Sequence, residues 1–254
     1  MNMRLRHIGT AVAVLAIGYA SLWLLSKKLD DFGDDFLNAV YAGDITKVEA
    51  MLNAGENPNM QDSYGNSPMT LAAFAGHDKV LQTLLDHGGK IDIRDNTGMS
   101  PLHCAAYYGR LEVIQVLLTN GAEVNATNRY GFTPLSESVG KGFPDAAMLL
   151  LSAGASVSNR DRRGWQPLHL ALRSNRLKPE IRLQLVTALL DHGADPNAEN
   201  QGGWEKDSNY DSTVSPFAIF QRRNPNRGNT PLAIAESNGF LDIAELLKER
   251  GALK

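Results

Sequence analysis

The sequence has little cysteine: Cys104 is the only one among 254 residues. A lone thiol cannot build an internal disulfide framework, and a cysteine-rich zinc site is excluded with it. Net charge is also scarce, at -3. That balance argues against a basic nucleic-acid binder and against an acidic disordered chain. Motifs that carry chemistry are missing as well. There is no Walker phosphate loop, no dinucleotide fingerprint, no Gly-x-Ser-x-Gly elbow and no zinc spacing. The run Asp207-Ser208-Asn209-Tyr210-Asp211 begins like a calcium loop, but Ser212 stands where glycine is needed and Ala218 where a bidentate acid belongs. The expectation is therefore a non-enzyme with no catalytic residues, no cofactor and no metal.

One long hydrophobic run is present. Ile8 to Leu25 gives 18 consecutive uncharged, mostly apolar positions, behind a short basic stretch (1–7) and ahead of Lys27 and Lys28. As a helix it rises roughly 27 Å, close to a hydrocarbon core of about 30 Å. Two readings compete: an uncleaved signal-anchor, or a signal peptide cut near Ala20, which leaves a secreted or periplasmic protein. The run exceeds an ordinary signal-peptide core of roughly 7–15 residues, and Trp23 with the two lysines suits a membrane interface, so the anchor is preferred. Positive charge is tied across the run, and a short basic amino terminus favours placing the body on the outer face. Residues 26–33 form a linker.

The rest of the chain, 34–254, repeats. Gly65, Gly98, Gly131 and Gly164 are spaced by 33 residues, as are Pro68, Pro101, Pro134 and Pro167. A second glycine pair, such as Gly76 and Gly88 or Gly109 and Gly121, spans twelve positions in every unit but 161–199. In the unit 62–94, Asp62-Ser63-Tyr64-Gly65 is turn chemistry and Ser67-Pro68 opens a helix with a hydroxyl cap and proline at the first turn. Val80, Leu81, Leu84 and Leu85 then recur at helical spacing. Ordering 33 such residues costs on the order of 50 kcal/mol, more than two short helices recover alone, so the units must stack into one solenoid.

These residues resemble ankyrin repeats. Asp95-Asn96-Thr97-Gly98-Met99-Ser100-Pro101-Leu102-His103-Cys104-Ala105-Ala106-Tyr107-Tyr108-Gly109 follows the family signature nearly position by position, as does Val113 to Asn125. The resemblance implies an all-α repeat solenoid of stacked helix-turn-helix pairs with β-hairpin fingers, here preceded by one transmembrane helix. Six units are expected: a cap (34–61), then 62–94, 95–127, 128–160, 161–199 and 200–254. It also implies that His103 and His169 hydrogen-bond neighbouring finger backbone. Cys104 reads as a small buried hydrophobe.

Departures from the pattern mark particular places. In 128–160 the Leu-x-x-Ala-Ala run becomes Leu135-Ser136-Glu137-Ser138-Val139. In 161–199 Gln166 replaces the capping hydroxyl, and six extra residues fall around Asn175 to Glu180, with Pro179 placed to restart a helix. About 25 residues are inserted within 200–227, rich in Asn, Asp and Ser yet carrying Trp204, Tyr210, Phe217 and Phe220.

The resemblance further implies that finger and inner-helix positions bind a partner on the concave face. Those positions hold Tyr64, Asn66, Phe74, Met99, Tyr107, Tyr108, Arg129, Tyr130, Phe132, Arg162, Arg163, Trp165 and Arg173, all taken to face outward. Tyr, Trp and Arg are the residues enriched at binding hot spots. Seven basic residues between Arg160 and Arg182, against Asp161 and Glu180, point to a partner with acidic groups. The expected function is a non-catalytic protein-protein interaction module tethered to a membrane through Ile8–Leu25. The alternatives are a scaffold acting by self-association, or an accessory or inhibitory subunit of a membrane-proximal enzyme. Nucleic acid is not an expected partner.

Overall fold

A computed structural model describes residues 35–200 and 230–253. Nearly all of these fall in one compact unit, Phe36–Gly203 with Asn226–Lys254. Twelve helices occur among the described residues, as six pairs: α1 Asp35–Ala42 and α2 Ile45–Asn53, α3 Pro68–Ala75 and α4 Asp78–Asp86, α5 Pro101–Tyr108 and α6 Leu111–Thr119, α7 Pro134–Lys141 and α8 Pro144–Ser152, α9 Pro167–Arg173 and α10 Pro179–Asp191, α11 Pro231–Ser237 and α12 Leu241–Glu249. The inner helices α3, α5, α7, α9 and α11 pack in sequence order, and the outer helices α2 to α12 form a second layer behind them. Leucine and isoleucine fill the space between, with Leu81, Leu84, Leu102, Ile114, Leu117, Leu135 and Leu150 wholly buried. No helix among the described residues is long and apolar enough to cross a membrane. The expected membrane helix at 8–25 lies outside the described residues, as do most of the 200–227 insertion and the Asp207–Asp211 run.

Local chemistry explains the inner helices. Ser67 Oγ accepts from Thr70 N at 3.1 Å while Ser67 N donates to Thr70 Oγ1 at 2.7 Å, a reciprocal cap. At α5 the return partner is His103, whose Nδ1 receives Ser100 N at 3.2 Å. Its Nε2 meets Phe132 O at 3.0 Å and so ties its unit to the next, whereas His169 Nε2 meets Ala198 O at 2.9 Å within its own unit. Burial pulls His103 down to about 4 and keeps it neutral. Glycine ends α3, α5 and α7 in the left-handed conformation.

Neighbouring units are fastened by repeated devices. Asn59 donates to Gly88 O and accepts from Lys90 N, and Asn125 and Asn197 make the same two bonds to Gly154 and Ser156 and to Gly251 and Leu253. His77 and Arg110 lie against the cap glycines Gly43 and Gly76 of the preceding unit and reach Tyr41 O at 3.0 Å and Phe74 O at 3.1 Å. These side chains satisfy carbonyls that a helix end otherwise leaves to solvent.

The fingers differ from the expected β-hairpins. No strand occurs among the described residues. Each of the four fingers 62–66, 95–99, 128–132 and 161–165 is a tight turn closed by one backbone bond across its base and capped by one side chain. Asp62 Oδ1 accepts Tyr64 N and Asn66 N, Asp95 Oδ1 accepts Thr97 N and Met99 N, Asn128 Oδ1 accepts Tyr130 N and Phe132 N, and Asp161 Oδ1 accepts Arg163 N and Trp165 N. Successive fingers share one backbone bond each, Asn96 N to Tyr64 O, Arg129 N to Thr97 O and Arg162 N to Tyr130 O. Gly131 has φ +80°, and a Cβ there would lie 3.0 Å from the Asp161 Cα, so glycine at this finger permits both the turn and the stacking.

The fifth unit also differs in detail. The extra residues do not all form a loop: α10 has 13 residues against nine in α8, about one added turn, and begins at Pro179. Arg182 holds the remaining 174–178 loop by donating to Ser174 O at 2.7 Å and Leu177 O at 3.1 Å, with its guanidinium 4.2 Å over the Phe240 ring. Gln166 fails to replace the lost hydroxyl: it makes no side-chain cap bond, and its buried Oε1 has no partner among the described residues.

Candidate functional site

The period of 33 lays matching positions of the inner helices in rows. One row runs Leu71, Cys104, Glu137 and Leu170 along α3, α5, α7 and α9. All four are buried, and Glu137 is the single charge among them. A second row runs Tyr41, Phe74, Tyr107, Gly140 and Arg173. Tyr108 and Lys141 follow one residue on.

Aromatic rings join the first three units. Tyr41 and Phe74 lie 5.8 Å apart between centroids, Phe74 and Tyr108 meet edge to face at 4.5 Å, and Tyr107 and Tyr108 lie at 4.7 Å. All four rings are half-buried, apolar enough to exclude water and open enough to be touched. Tyr41 was not among the expected site residues, although it stands 33 positions before Phe74.

The fourth unit interrupts this row with charge. Glu137 is buried beneath the face and receives Asn128 Nδ2 at 3.0 Å. Burial raises its carboxyl to about 7, against the opposing pull of Lys141 and Asn128. Lys141, one turn on, is pulled down to about 8 by burial, with Glu137 opposing and Arg176 adding to the shift. Its Nζ sits 3.9 Å over the Tyr107 ring, a cation–π contact that partly replaces lost water. Glu137 and Lys141 match Cys104 and Tyr108 of the preceding unit, so the period was the signal that locates both.

A second cluster forms in the fifth unit. The Arg173 and Arg163 guanidiniums lie 4.5 and 5.0 Å from the Trp165 ring, and Arg163 is 5.7 Å from Phe132. Arg163 Nε contacts Asp161 Oδ2 at 3.1 Å, and that carboxylate is 1% exposed. Partial burial lowers Arg173, and the Arg163 charge lowers it further.

The expected site thus divides. Phe74, Tyr107 and Tyr108 come together in one cluster, and Phe132, Arg163, Trp165 and Arg173 in another. Tyr64, Arg129, Tyr130 and Arg162 lie along the finger turns, with Tyr64, Arg129 and Arg162 exposed. Met99 is half-buried beside its own turn, and Asn66 is used within one, donating to Asp62 Oδ2 at 2.9 Å. Phe132 corrects the expectation that all these residues face outward: it is 8% exposed, tucked under its finger with its carbonyl on His103. The basic stretch also shrinks. Arg182 is buried on the 174–178 loop and is no surface charge, while Arg160 stays exposed but spends its guanidinium on the carbonyls of Gly164 and Glu199. Cys104 is buried and its thiol is pushed well above its ordinary value by desolvation, which leaves it inert.

The stacked pairs, the capping pattern and the period agree with a family model described as ankyrin repeats (3 copies), which matches residues 36–128 and 120–200. The chain belongs to the ankyrin-repeat family. Curated proteins offer no match to it. Ankyrin repeats are a protein-protein interaction fold, and in this member two clusters of aromatic and charged side chains stand out on the inner face.

Proposed function

We propose that this ankyrin domain is a non-catalytic binding module that docks a protein partner on the inner face, between fingers and inner helices. The partner presents acidic groups to Arg162, Arg163 and Arg173. The observation that carries the reading is the continuous row of half-buried rings from Tyr41 to Tyr108, followed by two guanidiniums on Trp165. Core packing does not require large aromatic and guanidinium groups at these positions, whereas desolvated Tyr, Trp and Arg dominate binding energy at interfaces. The stacked backbone is already ordered, so little conformational entropy is lost on its side of a complex.

Photo-crosslinking in intact cells tests the site. A crosslinking side chain placed at Tyr108 or Trp165 should trap a partner, and the same group at Gln115, exposed on the outer helix α6, should not. Equal trapping from both faces overturns the assignment. We also propose that Ile8–Leu25 anchors the domain to a membrane with the domain on the outer side. Extraction at alkaline pH should leave the chain in the membrane pellet, and its release overturns the tether.

A further inference from the structure

We infer that Glu137 is a positioning residue for the binding face: from within α7 it sets the pose of the finger 128–132, which carries Arg129 and Tyr130, by holding the Asn128 side chain in one orientation. The inference rests on the reading that fingers and inner helices bind the partner.

The four fingers repeat one device, so each serves as a control for the others. In three of them the holding side chain is a carboxylate, Asp62, Asp95 or Asp161. Both of its oxygens accept, so it works in either orientation. Each also takes a side-chain donor from its own finger, Asn66 at 2.9 Å, Thr97 at 2.7 Å or Arg163 at 3.1 Å. The residue in the row of Glu137 is then Leu71, Cys104 or Leu170, none of them charged. The fourth finger differs on every count. Its holder is Asn128, whose amide has one accepting and one donating end. Tyr130 and Phe132 give that amide their backbone N–H groups and no side-chain donor. The residue in the row beneath is a carboxylate.

These differences answer one another. Asn128 Oδ1 accepts Tyr130 N at 2.9 Å and Phe132 N at 3.1 Å, while its Nδ2 donates to Glu137 Oε1 at 3.0 Å. Turned over, the amide would set its NH2 against two N–H donors and its oxygen against a carboxylate, so all three partners agree on one pose. A carboxylate holder above Glu137 would bring two like charges together, which makes an amide the holder that suits this place. The pose extends to both neighbours. Arg129 N donates to Thr97 O at 2.9 Å, and Tyr130 O accepts Arg162 N at 3.0 Å, so the fourth finger registers the third against the fifth.

The test is amide hydrogen exchange, followed by NMR on the full chain in detergent micelles, with photo-crosslinking from position 130 in intact cells beside it. Glu137→Leu removes the acceptor beneath Asn128 and should speed exchange at Tyr130 and Phe132 by about tenfold, the effect of one lost hydrogen bond to a charged group. Adding Asn128→Asp gives this finger the pairing of the second and fifth units, and should bring exchange back to within about threefold of native. The same amides of the finger 62–66, at Tyr64 and Asn66, should change in neither variant, which separates the finger from the loss of the charge opposing Lys141. Trapping from position 130 should fall and recover in step. Should Glu137→Leu not fold, the exchange of Asn128→Asp with Glu137→Gln decides, because it reverses the bond and should keep the finger native. Equal exchange in Glu137→Leu with and without Asn128→Asp, an equal change in finger 62–66, fast exchange in the reversed pair, or trapping that does not follow the finger overturns the inference. The broader reading is judged apart from these, by crosslinking from Tyr108 and Trp165.

Discussion

Helices α5 and α7 each have eight residues, begin at a proline behind a hydroxyl cap and end at a glycine in the left-handed conformation. Yet where α5 carries Cys104 and Tyr108, α7 carries Glu137 and Lys141. The backbone is set by cap, proline, buried leucine and terminal glycine, all at shared positions. The inner-facing positions take no part in that, so they accept a thiol and a phenol in one unit and an opposed pair of charges in the next. The fold keeps its period while these positions vary because other side chains set the helix boundaries.

The largest break in this comparison is to remove one charge of the pair. Glu137→Leu leaves Lys141 buried without its opposing carboxylate and should cost about 3 kcal/mol in urea denaturation near neutral pH. The matching change in α5, Cys104→Val, nearly conserves volume and should cost less than about 1.5 kcal/mol. Equal losses mean that the Glu137 charge has no structural weight. Giving α7 the residues of α5, as Glu137→Cys with Lys141→Tyr, removes both desolvation costs together. The double variant should match the native protein or exceed it by about 1–4 kcal/mol.

The charged pair also makes stability depend on pH. Glu137 titrates at about 7 in the folded chain, above its ordinary 4.5, so the folded state binds more protons between these values and stability falls as pH rises through them. Lys141 titrates at about 8, below its ordinary 10.5, so the unfolded state binds more protons in that window and stability rises with pH. The two contributions place a minimum between pH 7 and 8. Its depth is roughly 3 kcal/mol at most on either side. Urea midpoints compared across that range should show the dip in the native chain and lose it in the double variant. A native curve without it removes the case for two buried charges.

Much of this architecture was readable because the repeat is strict. The spacing of glycines and prolines placed the helix pairs, and Ser67 and Gly76 served as the caps that their chemistry implied. Tyr41 escaped because the first unit lacks a finger and so lacks the motif that guided the eye, though the period reaches it. Phe132 was misplaced since a finger turn can direct a ring outward or under itself, and sequence does not distinguish the two. Arg160 and Arg162 are two residues apart, yet one meets carbonyl oxygens and the other solvent. That difference depends on where the next unit's backbone passes, a property of stacking that composition does not hold.

The smallest effect compares the caps of the second and fifth units. Ser67 accepts Thr70 N, whereas no side-chain cap bond forms at Gln166, whose Oε1 has no partner among the described residues. Ser67→Ala should therefore cost about 1 kcal/mol, the ordinary value of a hydroxyl cap. Gln166→Ala should cost less, as there is no cap bond to lose, although the bond from Gln166 Nε2 to Ser158 O at 3.2 Å goes with it. Gln166→Thr should stabilise by about 1 kcal/mol, because threonine restores the acceptor while His169 keeps the return bond to the backbone at 166. Urea midpoints for the three variants decide the matter. A Gln166→Thr protein no more stable than the native one means that the His169 return bond alone satisfies this helix start, and that the threonine of other units acts by shape rather than by accepting a hydrogen bond.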